Sequence, residues 1–413
     1  EPAASEIEKI VSEILADVKE NGDAALSKYS LKFDGYKSEA LLVSQEEFNI
    51  ALRDINGELM EAILIAKKNI EKFHSAQVQK KVNKIKTVPG VTCWRKNAPI
   101  ETVGLYIPGG TAPLFSTLLM LGIPAKLAGC KNIIVCTPAG NDGKINSTIL
   151  FVAKTLGITN IFKAGGAQAI GAMAYGTQTI PKVDKIYGPG NSYVTHAKKL
   201  VSMEGTAIDM LAGPSELAVY ADKTSIPAFV AADLLSQAEH GIDSQVILVA
   251  EDIDIIENVV VELSAQMNAL PRKEIINQSL SHSRLILIEN PKTAFEFLNC
   301  YAPEHLIIAS EEAKKLSSFV SNAGSVFLGN YSSESSGDYA SGPNHSLPTG
   351  GTAKTFSGVS VDSFVKKITF QKISKKGIKN IGRTVETMAT AEGLDAHRNA
   401  ISIRLKETED ENI

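Results

Sequence analysis

The sequence predicts an α/β protein with two Rossmann-like parallel-sheet domains that lack the G-x-G-x-x-G fingerprint, a helical N-terminal segment and a small C-terminal tail domain. Two observations carry this. Short β-rich runs, "VGLYIPGG", "NIIVCTPAG", "NIFKAGGAQ" and "DKIYGPGN", each end in Gly or Pro, and helical stretches such as "STLLMLGIPAKLAG" and "SYVTHAKKLVS" separate them. Strand, helix, strand at this spacing requires crossover connections and therefore a parallel sheet. After "MLAGPS" the same rhythm restarts, with "ELAVYA", "SQVILVA", "RLILIEN" and "HLIIAS" as strands.

Along the chain, residues 5–75 read as helices. "SQEEF" offers Ser44 as N-cap with Glu47 three residues on, a capping box ahead of a long amphipathic run. Residues 104–219 make the first α/β unit. The second starts at 220, with helices near 226–239, 254–267 and 292–300 between its strands. The N-terminal segment is expected to pack on this second unit, which gives one discontinuous domain of 1–103 and 220–361. From 362 to 413, strand-like "FVKKITFQ" and a helix near 377–391 form a tail with little core of its own. Such a tail needs an outside surface, often that of another subunit.

With 413 residues, the chain can bury two or three domains. Its net charge of −4 leaves no basic excess to neutralise phosphates, so a nucleic-acid partner is not expected. Lysines cluster at Lys80, Lys81, Lys84 and Lys86, and at Lys372, Lys375, Lys376 and Lys379, where a solvated helix or loop face accounts for them. The four cysteines, Cys93, Cys130, Cys136 and Cys300, include no C-x-x-C pair, which disfavours a thiolate zinc site or a disulfide framework. Cys130 and Cys136 flank a strand-like run and read as core. No apolar run reaches the length of a membrane span, and no secretory pattern is present. Because the chain opens at Glu1 without Met, a few residues are expected to precede it. The expected compartment is the cytoplasm in a bacterium, or an organelle in a eukaryote.

Chemistry is expected where Gly-rich turns meet the carboxyl ends of strands: "IPGGTAPL", "KAGGAQAIG", "YGPGNSYV" and "LAGPSE". Gly turns can serve structure alone, but Gln168, Asn191 and Ser215 beside them favour a ligand edge. In "ADLLSQAEHG", Gln237 and His240 are three apart and share a helix face, although a lone histidine at a helix end is commonly a dipole cap. "YAPEHLII" sets Glu304 and His305 together at the mouth of a strand, two proton-transfer groups of different basicity. The long loop "SSESSGDYASGPNHSLPTGG" holds Asp338 and His345, and "AEGLDAHRNAISIRL" holds Glu392 and His397. His74, His196 and His282 read as surface or cap residues.

These blocks resemble histidinol dehydrogenases: "GLYIPGG", "AGGAQAI", "YGPGN", "DMLAGPSE", "LLSQAEHG", "YAPEHL", "GDYASGPNH", "LPTGGTA" and "EGLDAHRNA", in the expected order over residues 104–400. The resemblance implies one zinc ion per subunit, NAD, and oxidation of L-histidinol through the aldehyde to L-histidine, the last step of histidine biosynthesis. It implies Gln237, His240, Asp338 and His397 as zinc ligands. Spacing chemistry alone would prefer Glu239 to Gln237 as a ligand, since carboxylates bind zinc better, yet helix phase supports Gln237. The resemblance further implies His305 as the base for the alcohol, Glu304 as the base for water, and Ser215, His345 and Glu392 as substrate-orienting residues. The zinc ligands and His305 would also touch the substrate. Tyr106, Gln168 and Asn191 would contact NAD, and the tail would cross to the partner of a homodimer with shared sites. Two other readings share these residues, a zinc hydrolase without nicotinamide and a ligand-binding homologue without catalysis. An intact Glu304–His305 pair argues against the latter.

Overall fold

Near-continuous apolar runs bounded by Gly and Pro make strands that must be covered on both faces, and helical crossovers supply that cover. The computed structural model describes residues 4–36, 40–109, 113–210 and 213–409, so the turns in "IPGGTAPL" and "LAGPSE" fall partly outside the described residues. Its strands in chain order are β1 (Lys84–Val88), β2 (Val91–Pro99), β3 (Thr102–Tyr106), β4 (Asn132–Thr137), β5 (Ile161–Lys163), β6 (Lys185–Tyr187) and β7 (Ala207–Ile208), then β8 (Glu216–Ala221), β9 (Gln245–Ala250), β10 (Arg284–Leu287), β11 (His305–Ala309), β12 (Ser325–Leu328) and β13 (Val365–Ile373). Two five-stranded parallel sheets result, ordered β5-β4-β3-β6-β7 and β10-β9-β8-β11-β12. Each puts its first strand in the middle and reverses direction of winding there, the doubly wound pattern the sequence rhythm predicts.

The chain divides into two compact units, Glu1–Gln77 with Ile100–Phe364, and Val78–Pro99 with Val365–Ile413. Both parallel sheets belong to the first. The N-terminal helices do not pack on the second sheet as the sequence reading expected. Helix Ala4–Asn21 buries Ile7, Val11, Ile14 and Val18 in one core with Tyr106, Ile134, Phe162 and Ile170, on the first sheet. Helix Gly57–Ser75 joins the core on the opposite face, with Ile63 and Ile70 beside Val103, Leu105 and Leu118. The first sheet is buried on both faces, and these helices complete its cover. The Ser44 capping box forms, with Glu47 N–H donating to Ser44 Oγ at 3.2 Å and Ser44 N–H to Glu47 Oε2 at 2.9 Å. Its helix, Gln45–Ala51, is short rather than the long run expected. His74, read as a surface or cap residue, is buried in the last turn of helix Gly57–Ser75, and its Nδ1 lies 3.1 Å from Gln77 Oε1. Cys130 and Cys136 are core, as expected.

In the second unit the tail has a partner that the sequence did not announce. β13 runs antiparallel to β2 from Val365 opposite Pro99 to Ile373 opposite Val91, and β1 completes a three-stranded sheet. Trp94 and Phe370 stack across it at 5.5 Å. Helices Lys375–Ala391 and Asp395–Glu409 pack on each other where Gly382 lets Leu405 approach. The clustered lysines are exposed, on strands as well as on helix and loop. Among the described residues no helix is long and apolar enough to cross a membrane.

The turn after β6 shows how the first sheet's carboxyl edge is held. Lys198 and Asp209 form a buried ion pair, Lys198 Nζ donates to the Gly188 carbonyl at 2.9 Å, and Gly188 N–H donates to Asp209 Oδ2 at 2.8 Å. Gly188 has φ +123, and a Cβ there would lie 2.1 Å from the Tyr106 carbonyl oxygen. Gly188→Ala is therefore expected to destabilise the fold by at least about 1–3 kcal/mol, the usual cost of a forced backbone. A denaturant midpoint equal to that of the parent chain would show that the turn is not constrained.

Candidate active site

The candidate site forms at the amino edge of the second sheet, opposite the edge where open sheets usually take ligands. Helix Pro291–Tyr301 ends at Ala302, which is buried with φ 56, the one positive φ outside glycine among the described residues. This left-handed residue and Pro303 turn the chain sharply into β11, so Glu304 and His305 are presented at its first residues. Such backbone strain persists only where its surroundings over-determine it. Here Gly324 N–H donates to the Pro303 carbonyl at 3.0 Å and Ser325 N–H to the Glu304 carbonyl at 2.9 Å. Glu304 Oε2 accepts from Glu216 N–H at 3.1 Å, and the Ser215 hydroxyl also engages this carboxyl.

Two helical segments bring the remaining groups. Helix Pro227–Ala238 runs back towards this edge, carrying Asp233 and Gln237, and His240 follows just past its C-cap, Glu239. His240 N–H donates to the Gln237 carbonyl at 3.2 Å, so the last turn persists although His240 lies outside the helix proper. The segment read as a long loop contains helix Glu334–Tyr339, capped by Ser333. The stretch before and through it runs alongside Pro227–Ala238. The Tyr331 ring meets Phe229 edge-on at 5.7 Å, and Glu334 N–H donates to the Asp233 carboxyl. Donor atoms of His240, Glu334 and Asp338 lie within 4.8 Å of one another. His305 sits among them: its Nδ1 is 3.9 Å from Glu304 Oε2 and 3.8 Å from Glu334 Oε1, and its Nε2 is 3.7 Å from Asp338 Oδ1. His345 Nδ1 lies 3.0 Å from the Asp338 carbonyl oxygen.

Burial sets the electrostatics. Gln237, Glu334, His305 and Glu304 are 0%, 1%, 3% and 5% exposed. Burial, then neighbouring carboxylates, pushes the Glu334 carboxyl well above its usual range, and burial does the same to Glu304. Asp338 and Asp233 are each raised to about 7 by burial. Burial and the adjacent His240 and His345 push His305 down to about 3, and burial pushes His345 down to about 4. The amide atoms of Gln237, both carboxylate oxygens of Glu334 and Nδ1 of His305 are buried without a hydrogen-bond partner. Orphaned groups of this kind are rare in native proteins. Here acceptors dominate, and imidazole, carboxylate and amide oxygen together suit a divalent cation of the zinc type.

Other expected residues lie elsewhere. Tyr106, Gln168 and Asn191 line one open cleft of about 1640 Å³ at the carboxyl edge of the first sheet, where β3 and β6 flank its switch point. The Tyr106 hydroxyl accepts from Gly166 N–H at 3.0 Å, and Asn191 Oδ1 accepts from Val194 N–H at 3.1 Å as the cap of helix Ser192–Met203. Glu392 and His397 belong to the second unit, where both are exposed. Sequence reasoning missed Glu334 and Asp233. The available signal was spacing, since Glu334 precedes Asp338 by four residues, and Asp233 precedes Gln237 by four.

A family model described as histidinol dehydrogenase matches residues 1–405. The chain belongs to the histidinol dehydrogenase family. A histidinol dehydrogenase of Bacteroides fragilis is 54% identical over 397 residues, covering 96% of this chain and 92% of that one. One from Campylobacter jejuni is 51% identical over 406 residues, 98% of this chain and 94% of that one. The crystal structure of histidinol dehydrogenase from Elizabethkingia anophelis is 55% identical and superposes with a TM-score of 0.96, over 98% of this chain and 93% of that one. The α/β architecture is thus that of histidinol dehydrogenases, which are oxidoreductases of histidine biosynthesis.

The raised carboxyls give a signed expectation. A cation held by Asp338 would have to displace the single proton that burial keeps on this carboxyl up to about pH 7. Apparent zinc affinity is expected to rise by about tenfold per pH unit for each proton displaced, levelling off above about pH 7. Competition with a chelating dye across that range measures it. A pH-independent affinity, after correction for the dye, would show that the carboxyls do not take part.

Proposed function

We propose that the chain is an L-histidinol dehydrogenase that makes two successive NAD-dependent oxidations, from L-histidinol through L-histidinal to L-histidine, with one zinc ion per subunit. The observation that carries this reading is the buried Glu304–His305 pair, set beside a cluster of unpartnered cation donors in a member of this family. Gln237, His240 and Asp338 would hold the zinc ion, joined by His397 of the partner subunit in a homodimer. When bound, the ion supplies a fixed Lewis-acidic anchor for the substrate's imidazole and amino nitrogens. NAD, for which Tyr106, Gln168 and Asn191 would provide contacts, supplies the hydride acceptor.

The chain's own groups then divide the proton work. His305, held neutral by burial, takes the proton of the alcohol oxygen as hydride leaves its carbon. Glu304, a stronger base than a free carboxylate because of its burial, takes a proton from water, whose oxygen adds to the aldehyde carbon. As water adds, the carbonyl oxygen takes back the proton held by His305, which gives the hydrate and restores the neutral base. The hydrate then gives a proton to His305 as the second hydride leaves, and the carboxylic acid results. Ser215, His345 and Glu392 of the partner subunit orient the substrate. A hydrolase reading would use the same cation donors but has no role for the cleft lined by Tyr106, Gln168 and Asn191. Formation of NADH on adding histidinol separates the two.

The two bases should separate kinetically. Glu304→Gln keeps the shape but cannot deprotonate water, so oxidation of supplied aldehyde is expected to fall about 10²–10⁴-fold, while alcohol oxidation suffers less. Equal losses in both half-reactions would refute the division.

The shared site has its own test. His240→Asn and His397→Asn homodimers should each be inactive. Co-refolding them gives mixed dimers in which one site carries both lesions and the other carries none, so activity should return, at up to one working site per mixed dimer. Proven heterodimers that stay inactive would exclude a site built from two chains.

A further inference from the structure

Glu334 has no role in the scheme above, yet it is the most conspicuous carboxylate of the site. It is 1% exposed, and neither of its oxygens has a hydrogen-bond partner. Its backbone is tied down, because its N–H donates to the Asp233 carboxyl and it opens a helix capped by Ser333. Nδ1 of His305, itself without a hydrogen-bond partner, lies 3.8 Å from Glu334 Oε1. An acceptor without a donor faces a ring nitrogen without a partner.

The surroundings decide where the imidazole proton sits. Of the carboxyl groups around the ring, those of Glu304 and Glu334 face Nδ1 and that of Asp338 faces Nε2, and the ring also engages the Glu216 backbone. With Glu304 and Glu334 ionised, as the two bases must be for the reaction, a proton on Nε2 would leave the Nδ1 lone pair turned towards two acceptors. A proton on Nδ1 removes that repulsion and gives one carboxylate its donor. Glu304 is the poorer partner, since its Oε2 already accepts from Glu216 N–H and its carboxyl also engages Ser215. Glu334 is free to take the bond, and a small side-chain rotation closes the remaining gap. Catalytic hydrogen bonds are commonly long before substrate binds. A carboxylate behind a histidine fixes its tautomer and steadies the imidazolium that forms when the other nitrogen takes a proton.

We infer that Glu334 is a positioning residue for His305: its carboxylate accepts the Nδ1–H, which leaves Nε2, on the Asp338 side, as the nitrogen that removes the substrate's proton. The inference rests on His305 being the base. The competing role for Glu334 is cation ligand, since its carboxylate also lies within reach of His240 and Asp338. A positioning residue would change the base without changing the ion, and that difference is measurable.

The test uses the zinc-loaded protein. With ¹⁵N-labelled histidine, the ring signals lost in His305→Asn assign His305 in the unsubstituted chain. They are expected to report the Nδ1–H tautomer, and an Nε2–H tautomer overturns the inference. Glu334→Gln keeps the volume and should fold. Its kcat is expected to fall about 10²–10⁴-fold in both oxidations, with KM for histidinol, zinc content and zinc affinity unchanged. Glu334→Asp, which restores the charge, is expected to recover part of the loss. Weakened zinc binding in Glu334→Gln would make it a ligand and overturn the inference, and so would an unchanged kcat. If His305→Asn itself retains both oxidations, the assignment of the base fails, a result distinct from failure at Glu334.

Discussion

A single imidazole ring held among three buried or half-buried carboxyl groups is the constraint on which the second half of the molecule is organised. Glu304, Glu334 and Asp338 all lie within 4 Å of the ring nitrogens of His305, in a place from which water is largely removed. Gathering acidic groups there is unfavourable for each of them, as their raised affinity for protons shows. The arrangement persists because the backbone leaves the side chains no alternative. A left-handed Ala302, a proline, and the first residues of β11 aim one pair, while the helix Glu334–Tyr339 aims the other two. Groups held so close together by the backbone are preorganised to meet charge.

The same logic explains why the two sheets contribute different edges. On the first sheet, the switch point between β3 and β6 opens a cleft at the carboxyl ends of the strands. On the second sheet the chemistry stands at the amino ends, because helix Pro227–Ala238 runs antiparallel to the strands and delivers Gln237 and His240 there. The buried Lys198–Asp209 pair clamps the turn after β6 at the carboxyl edge of the first sheet.

Much of this was legible in the residues. The alternation of β-rich runs and helices specified two parallel sheets, because the period of apolar side chains is a local property of the chain. Gln237, Glu304, His305, Asp338 and His345 were legible as well, through short motifs whose chemistry survives without coordinates. Asp233 and Glu334 were passed over although their four-residue spacing from Gln237 and Asp338 was in view. Spacing shows which residues share a helix face, not what that face meets.

What the sequence by itself determined is therefore local: the fold class, the strands, the capping box at Ser44, and the residue types able to move protons or bind a cation. Tertiary structure alone decided the rest. It put the N-terminal helices on the first sheet, where Ile7 and Val11 fill a core with Tyr106 and Phe162. It paired β13 with β2 across more than 260 intervening residues of chain. It also chose the amino edge of the second sheet for the Glu304–His305 pair and left Glu334 without a donor beside that ring. The physical reason is common to all of these. Which apolar face covers which, and which buried acceptor lacks a donor, depends on contacts between residues distant in sequence, and no local pattern of residues encodes them.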